Sequence, residues 1–175
     1  MRMKSLLFSL VALLALAPVS RADSTVTLTK VHLCCDSCVK GVAKAVGKVD
    51  GASAVCDKEA QTVVITAPDS ATAQKTVDAL VKAGYFGKSS DDSIMVKTTT
   101  SAKGEKVSTL KVSGVHLCCP KCAKAVHAAV AAVPGVTGDE GIAKGAETFT
   151  VTGDFKDSDV FDALQKAGLT GKVAE

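Results

Sequence analysis

The stretch Val31-His32-Leu33-Cys34-Cys35-Asp36-Ser37-Cys38 returns 84 residues later as Val115-His116-Leu117-Cys118-Cys119-Pro120-Lys121-Cys122. The same offset carries Val46 onto Val130, Gly51 onto Gly135, Leu80 onto Leu164 and Lys82-Ala83-Gly84 onto Lys166-Ala167-Gly168. Matches this far apart on one offset mean that a whole structural unit is duplicated, not only a motif. Between them, Val63-Val64-Ile65-Thr66 answers Phe149-Thr150-Val151-Thr152 at an offset of 86. A small insertion near Gly141 to Gly145, compensated before the last helix, accounts for the difference.

Each unit reads in the same order. Thr25 to Leu33 alternates apolar with polar residues, as a half-buried strand does. The cysteine loop follows. Val39, Val42, Val46 and Val49 then recur at helical spacing, as do Ala123, Val126, Val130 and Val133 in the second unit. Asp50-Gly51 and Pro134-Gly135 end those helices. Two strands come next, Ser53 to Asp57 and Gln61 to Thr66 in the first unit. A second helix begins near Ser70 or Ser158, either of which can cap it, and buries Val77 with Leu80 or Phe161 with Leu164. Gly84 and Gly168 stand just past its end, where a left-handed cap takes glycine. A short strand closes the unit. The order is β-α-β-β-α-β, so the expected fold is α+β, two tandem ferredoxin-like sandwiches. The expected divisions are a leader at 1–22, units at 23–90 and 107–175, and a linker at 91–106. In that linker Ile94-Met95-Val96 is too apolar for a free tether, and an edge strand or packing between the units is expected of it.

Six of the seven cysteines fall in two tight clusters, a distribution that suits chemistry better than stapling. In Cys35-x-x-Cys38 and Cys119-x-x-Cys122 the first cysteine ends a loop and the second sits on the first turn of a helix. Free backbone N–H groups and the positive end of the helix dipole there favour thiolate over thiol, and thiolate is the metal ligand and the nucleophile. Two such thiolates can pinch one soft ion, Cu(I), Zn(II) or a softer metal. Pro120 suits the first helical turn, where its missing N–H goes unneeded.

This order of elements, with Cys-x-x-Cys between first strand and first helix and Lys82-Ala83-Gly84-Tyr85 ending the second helix, resembles the heavy-metal-associated domain. That family includes copper chaperones, the N-terminal modules of metal-exporting P-type ATPases and periplasmic mercury-binding proteins. The resemblance covers nearly all of 23–90 and 107–175. It implies metal ligands at Cys35, Cys38, Cys119 and Cys122, with Cu(I) as the leading ion and Zn(II), Cd(II) or Hg(II) as alternatives. It places the family's core methionine at Leu33 and Leu117 and its metal-side tyrosine at Tyr85, which Leu169 replaces in the second unit. His32 and His116 stand where the family has glycine.

The chief departure is an extra cysteine before each pair, Cys34 and Cys118. Each is either a third thiolate, joined by His32 or His116 to suit Zn(II), Cd(II) or a small Cu(I) cluster, or a half-buried residue turned from the loop. If Leu33 faces the core, alternation puts Cys34 and His32 together on the outer face. His127 reads as a surface histidine and Cys56 as a small apolar filler of the second strand.

The first residues read as a secretory signal. Arg2 and Lys4 precede an uncharged run from Leu6 to Ala17, Pro18 breaks it, and Ser20-Arg21-Ala22 offers small residues for cleavage after Ala22. The chain is therefore expected in the periplasm or outside the cell, with no membrane anchor after cleavage. Arg2, Lys4 and Arg21 account for the whole net charge of +3, leaving 18 basic and 18 acidic residues in the mature part. A neutral chain with scattered lysines gives no electrostatic case for nucleic acid or anionic membrane as a partner.

Two function classes lead, ahead of a structural role in which the loops form disulfides and the units dock other proteins. One is a binding protein, not an enzyme, that carries a thiophilic metal and exchanges it with a metal-transporting ATPase or another metal-binding protein. The other is a thiol–disulfide redox protein, since Cys-x-x-Cys at a helix start is also a redox arrangement.

Overall fold

A computed structural model describes residues 23–174. The leader and its cleavage point lie outside the described residues.

The first unit contains β1 (Ser24–Thr29), α1 (Asp36–Val46), β2 (Ser53–Asp57), β3 (Thr62–Ala67), α2 (Ser70–Lys82) and β4 (Lys88–Ser89). The second repeats the series as β5 (Lys106–Ser113), α3 (Pro120–Ala131), β6 (Val136–Glu140), β7 (Thr148–Lys156), α4 (Asp157–Lys166) and β8 (Lys172–Val173). Each unit is a four-stranded antiparallel sheet, ordered β2-β3-β1-β4 and β6-β7-β5-β8, with its two helices packed against it. These are two ferredoxin-like βαββαβ sandwiches, the α+β fold that the duplication predicts.

The register confirms the duplication and its insertion. Val26 pairs with Ile65 and Leu28 with Val63 in the first sheet, while Leu110 pairs with Val151 and Val112 with Phe149 in the second. One strand keeps the offset of 84 and its partner takes 86. The extra residues sit in the loop between β6 and β7, where Gly141 and Gly145 turn with positive φ and Ile142 is buried.

Val26, Leu28, Val63 and Ile65 point from the sheet into Val42, Val77 and Leu80 of the helices, all essentially inaccessible to solvent. Fully burying such a side chain contributes about 1.5–3 kcal/mol, so thin valine–leucine layers suffice for a unit of this size.

Three local expectations are corrected. The first strand ends at Thr29 and does not run to Leu33, because Lys30 turns with φ +61; Gly114, its counterpart, has φ +75. Alternating burial nevertheless continues, with Val31 and Leu33 inward and His32 and Cys34 half-exposed. The stripe of α1 is turned by about one position: Cys38, Val42, Ala45 and Val46 are buried, and Val39 and Val49 only partly so. Finally, α2 is capped by Asp69, whose carboxylate accepts from Thr72 N at 2.8 Å, and not by Ser70. Ser158 does not cap α4 either. Asp157 takes the first turn, its buried carboxylate accepting the backbone N–H groups of Lys103, Gly104 and Glu105.

Ile94 is buried, Met95 is exposed and neither lies in a strand. Gln74 of α2 brackets Met95, donating to its carbonyl at 2.8 Å and accepting its N–H at 2.9 Å. The apolar part of the connection is thus held along the first unit.

The units meet through reciprocal contacts. Just past α2 and α4 the chain forms an antiparallel bridge between Tyr85 and Leu169. Thr170 N donates to Gly84 O at 3.0 Å, and Phe86 N to Gly168 O at 3.1 Å. A Cβ on Gly168 would lie 2.4 Å from Lys30 O and 2.5 Å from His32 N; one on Gly84 would lie 2.5 Å from His116 N. These two glycines let each helix end rest directly on the backbone leading into the other unit's cysteine loop.

Candidate metal centre

That docking brings both cysteine loops to one place. Cys35 and Cys119 are the N-cap residues of α1 and α3, both in extended conformation with φ −165 and −152, and neither side chain caps its helix. Their sulfurs are therefore free to face away from the helix ends. Cys38 and Cys122, one turn in, are fully buried, while Cys34, Cys35, Cys118 and Cys119 are partly exposed. All seven cysteines are free thiols.

Within the first loop, Cys35 and Cys38 Sγ are 3.8 Å apart and Cys34 and Cys38 Sγ 3.6 Å. The second repeats this, with Cys119–Cys122 at 3.6 Å and Cys118–Cys122 at 3.6 Å. Contacts between the units are as short. Cys34 lies 3.5 Å from both Cys119 and Cys122; Cys35 lies 3.6 Å from Cys119 and 4.0 Å from Cys118; Cys38 lies 3.6 Å from Cys118 and 3.8 Å from Cys122. Cys34 and Cys118 thus turn into the group, and the four expected ligands and these two extra thiols form one assembly. Triads Cys34–Cys35–Cys119, Cys35–Cys38–Cys118 and Cys118–Cys119–Cys122 each gather their sulfurs within 4.8 Å, as does His32 with Cys34 and Cys122. Such thiol triads bind soft metal ions.

The thiols differ in acidity. Hydrogen bonding from the Cys122 thiol, opposed by burial and helped by His116, holds Cys38 well below the ordinary thiol range. Cys122, the other half of that contact, is raised by Cys38 and by burial, and so keeps the proton between them. Burial acts to raise Cys119, but the Cys122 backbone and the Cys34 and Cys35 thiols outweigh it and bring it down to about 6. Burial is the first cause of the rise at Cys34, and at Cys118, which it pushes up to about 12.

The two histidines are placed alike and partnered differently. His116 Nε2 lies 2.9 Å from Tyr85 Oη, which donates to the Cys38 carbonyl at 2.8 Å. Burial, then the nearby thiolates, raise the Tyr85 pKa, so the phenol stays a donor. In the symmetric position Leu169 offers no such group, and His32 Nε2 is buried without a hydrogen-bond partner among the described residues. Burial lowers the His32 pKa, so this imidazole is neutral and its free nitrogen is a competent ligand beside Cys34 and Cys122.

The remaining sequence candidates stand apart. His127 is exposed and bonded to Asp139 at 2.8 Å. Cys56 is half-buried on β2 and belongs to none of the thiol triads. Asp36 pairs at the surface with Lys58, an exposed ion pair of small energetic weight. Sequence reasoning missed that Tyr85 and His116 meet across the units and that the two loops share one centre. The signal was present in Gly84 and Gly168, read only as helix caps.

Two βαββαβ units, each with Cys-x-x-Cys where its first strand gives way to its first helix, define a tandem heavy-metal-associated protein whose cysteines bind soft metal. No family model matches the chain. Curated relatives do: the periplasmic component of the mercuric transport protein of Pseudomonas fluorescens is 41% identical over 85 residues, covering 47% of this chain and 93% of that protein. Those of Shigella flexneri, at 41%, and Serratia marcescens, at 40%, align over the same lengths. The chain belongs to this family of periplasmic mercuric transport components. The aligned length is that of one repeat, so this chain is about twice as long as its relatives. Among solved structures, the N-terminal soluble domains of Bacillus subtilis CopA match over 88% of this chain and 95% of that one, at 19% identity and a TM-score of 0.31.

Proposed function

We propose that the protein is a periplasmic carrier, not an enzyme, that sequesters or delivers a thiophilic metal ion, Cu(I) first, through the thiolates of its cysteine loops. The observation that carries this reading is the convergence of Cys34, Cys35, Cys38, Cys118, Cys119 and Cys122 into triads whose sulfurs lie within 4.8 Å of one another, with contacts between the units of 3.5–4.0 Å. Three thiolates around one ion, with bonds of about 2.3 Å, stand about 4.0 Å apart. Thiolate donors select Cu(I) and other soft ions. Release proceeds by ligand exchange, one incoming cysteine at a time, to a metal-transporting ATPase or another metal-binding protein. The partly exposed thiols are the ones such a partner reaches. No helix among the described residues is long and apolar enough to cross a membrane, which fits a carrier that moves between partners.

A second reading, Hg(II) as the cargo, is favoured by what the relatives are named for. Anaerobic competition decides between the two. Reduced protein is offered Cu(I), Hg(II), Zn(II) and Cd(II) with chelators of known affinity, and bound metal is measured by mass spectrometry. Retention of Cu(I) against a strong Cu(I) chelator, lost in the Cys35→Ser, Cys38→Ser double variant that still folds, supports the first reading. Failure to retain any of the four ions overturns both.

A further inference from the structure

The six sulfurs have a definite connectivity. Beyond the contacts of 3.5–4.0 Å given above, Cys34 and Cys35 are neighbours within 4.8 Å, and so are Cys118 and Cys119. Each sulfur thus has four stated neighbours among the other five, and the pairs left over are Cys34 with Cys118, Cys35 with Cys122 and Cys38 with Cys119. No cysteine occurs twice in that set. Every sulfur therefore opposes one other across the group and borders all the rest, which is the connectivity of an octahedron. Each opposing pair takes one sulfur from each unit, so neither unit alone can form it.

An octahedron has alternate triangular faces that together use every vertex twice. Here one such set is Cys34–Cys35–Cys119, Cys35–Cys38–Cys118, Cys118–Cys119–Cys122 and Cys34–Cys38–Cys122. The first three are triads already described. The fourth has edges of 3.6, 3.8 and 3.5 Å. Resting on the soft-metal reading above, we propose that the two loops hold one shared cluster of four Cu(I) ions, one on each of these faces, with every thiolate bridging two ions.

Charge and coordination both favour Cu(I) in this arrangement. Four Cu(I) ions and six thiolates give a cluster of charge −2, with no change of oxidation state, and the protons still held by the thiols go to solvent. The N-termini of α1 and α3, both ending at the cluster, offset the remaining negative charge. Zn(II) takes four ligands in closed sites. Each face supplies three, and among the described residues His32, with its unpartnered Nε2, is placed to add a fourth at one edge. A two-coordinate linear ion would hold its sulfurs about 4.6 Å apart, twice a bond of about 2.3 Å, which is wider than the edges measured within and between the loops.

The test is an anaerobic Cu(I) titration of the whole reduced chain, followed by native mass spectrometry and by X-ray absorption. The expected result is a direct passage from metal-free protein to a species with four copper ions, few intermediates, and a short copper–copper scattering path. The single variant Cys118→Ser, folded by circular dichroism, is expected to fall short of four ions and to release copper bound at Cys35 and Cys38 faster, because it removes a neighbour of both. Saturation at two ions with no copper–copper path, and a Cys118→Ser variant that binds as the parent does, would overturn the shared cluster while leaving metal carriage intact. Failure to bind Cu(I) at all would overturn the Cu(I) reading beneath it.

Discussion

Tyr85 Oη lies 2.9 Å from His116 Nε2, and the two rings stack at a centroid distance of 4.4 Å, tilted by 32°. The tyrosine belongs to the first unit and the histidine to the second. The phenol also donates to the Cys38 carbonyl, so one side chain ties a helix end, a metal loop and the opposite unit together. Tyr85→Phe deletes the hydroxyl without changing the ring. Leaving buried polar partners unsatisfied costs about 1–3 kcal/mol. Chemical denaturation of the metal-free variant is expected to show a loss in that range, with the two units losing their common transition. An unchanged midpoint would mean that the phenol contributes nothing to docking.

His32 presents the opposite case. Its Nε2 is buried and unpartnered because Leu169 stands where Tyr85 stands in the other unit. A neutral imidazole nitrogen beside Cys34 and Cys122 is a ready metal donor. His32→Ala is expected to leave the metal-free stability near that of the parent and to raise the rate at which a chelator strips the metal several-fold. Equal stripping rates would assign His32 to packing alone.

Gly168 is where sequence reading stopped short. Its φ of +76 suits a helix C-cap, and that much was legible from Lys166-Ala167-Gly168. The second constraint, a missing Cβ that would sit 2.4 Å from Lys30 O, belongs to a contact between units with no periodicity and no sequence motif. The βαββαβ order was legible for the opposite reason. Duplication, alternating valines and paired turn residues are local signals, each written twice. The cysteines were legible as ligands one loop at a time, while their joint arrangement depends on docking. Gly168→Ala is expected to separate the units without unfolding either. Small-angle scattering should show an expanded particle, and copper capacity should fall towards that of two independent loops. A compact particle with full capacity would show that the interface adapts.

Lys30 and Gly114 occupy equivalent left-handed positions at the ends of β1 and β5, with φ +61 and +75. A side chain in that conformation costs about 1–2 kcal/mol, and the greater freedom of glycine in the unfolded chain returns part of that difference. Lys30→Gly is therefore expected to raise the stability of the first unit by about 0.5–1 kcal/mol. Because Lys30 is exposed and Gly114 already serves as the internal control, thermal unfolding of the variant suffices as the check. A fall in the midpoint would mean that Lys30 makes compensating contacts.

Cys119 combines a lowered pKa, about 6, with partial exposure. Cys38 is lower still but fully buried, and Cys34 and Cys118 are raised. Alkylation needs both thiolate and access. A depressed pKa means that the reactive form is present above the folded-state value, so Cys119 should react with iodoacetamide at neutral pH, and its rate should fall as pH drops through about 6. A thiol at its ordinary value would lose its rate near pH 8.5 instead. Peptide mapping of the briefly labelled, metal-free protein should find Cys119 modified ahead of Cys34 and Cys118 at pH 7, with metal loading protecting it. Labelling led by Cys34 or Cys118 would mean that the protons in the thiol group are distributed the other way.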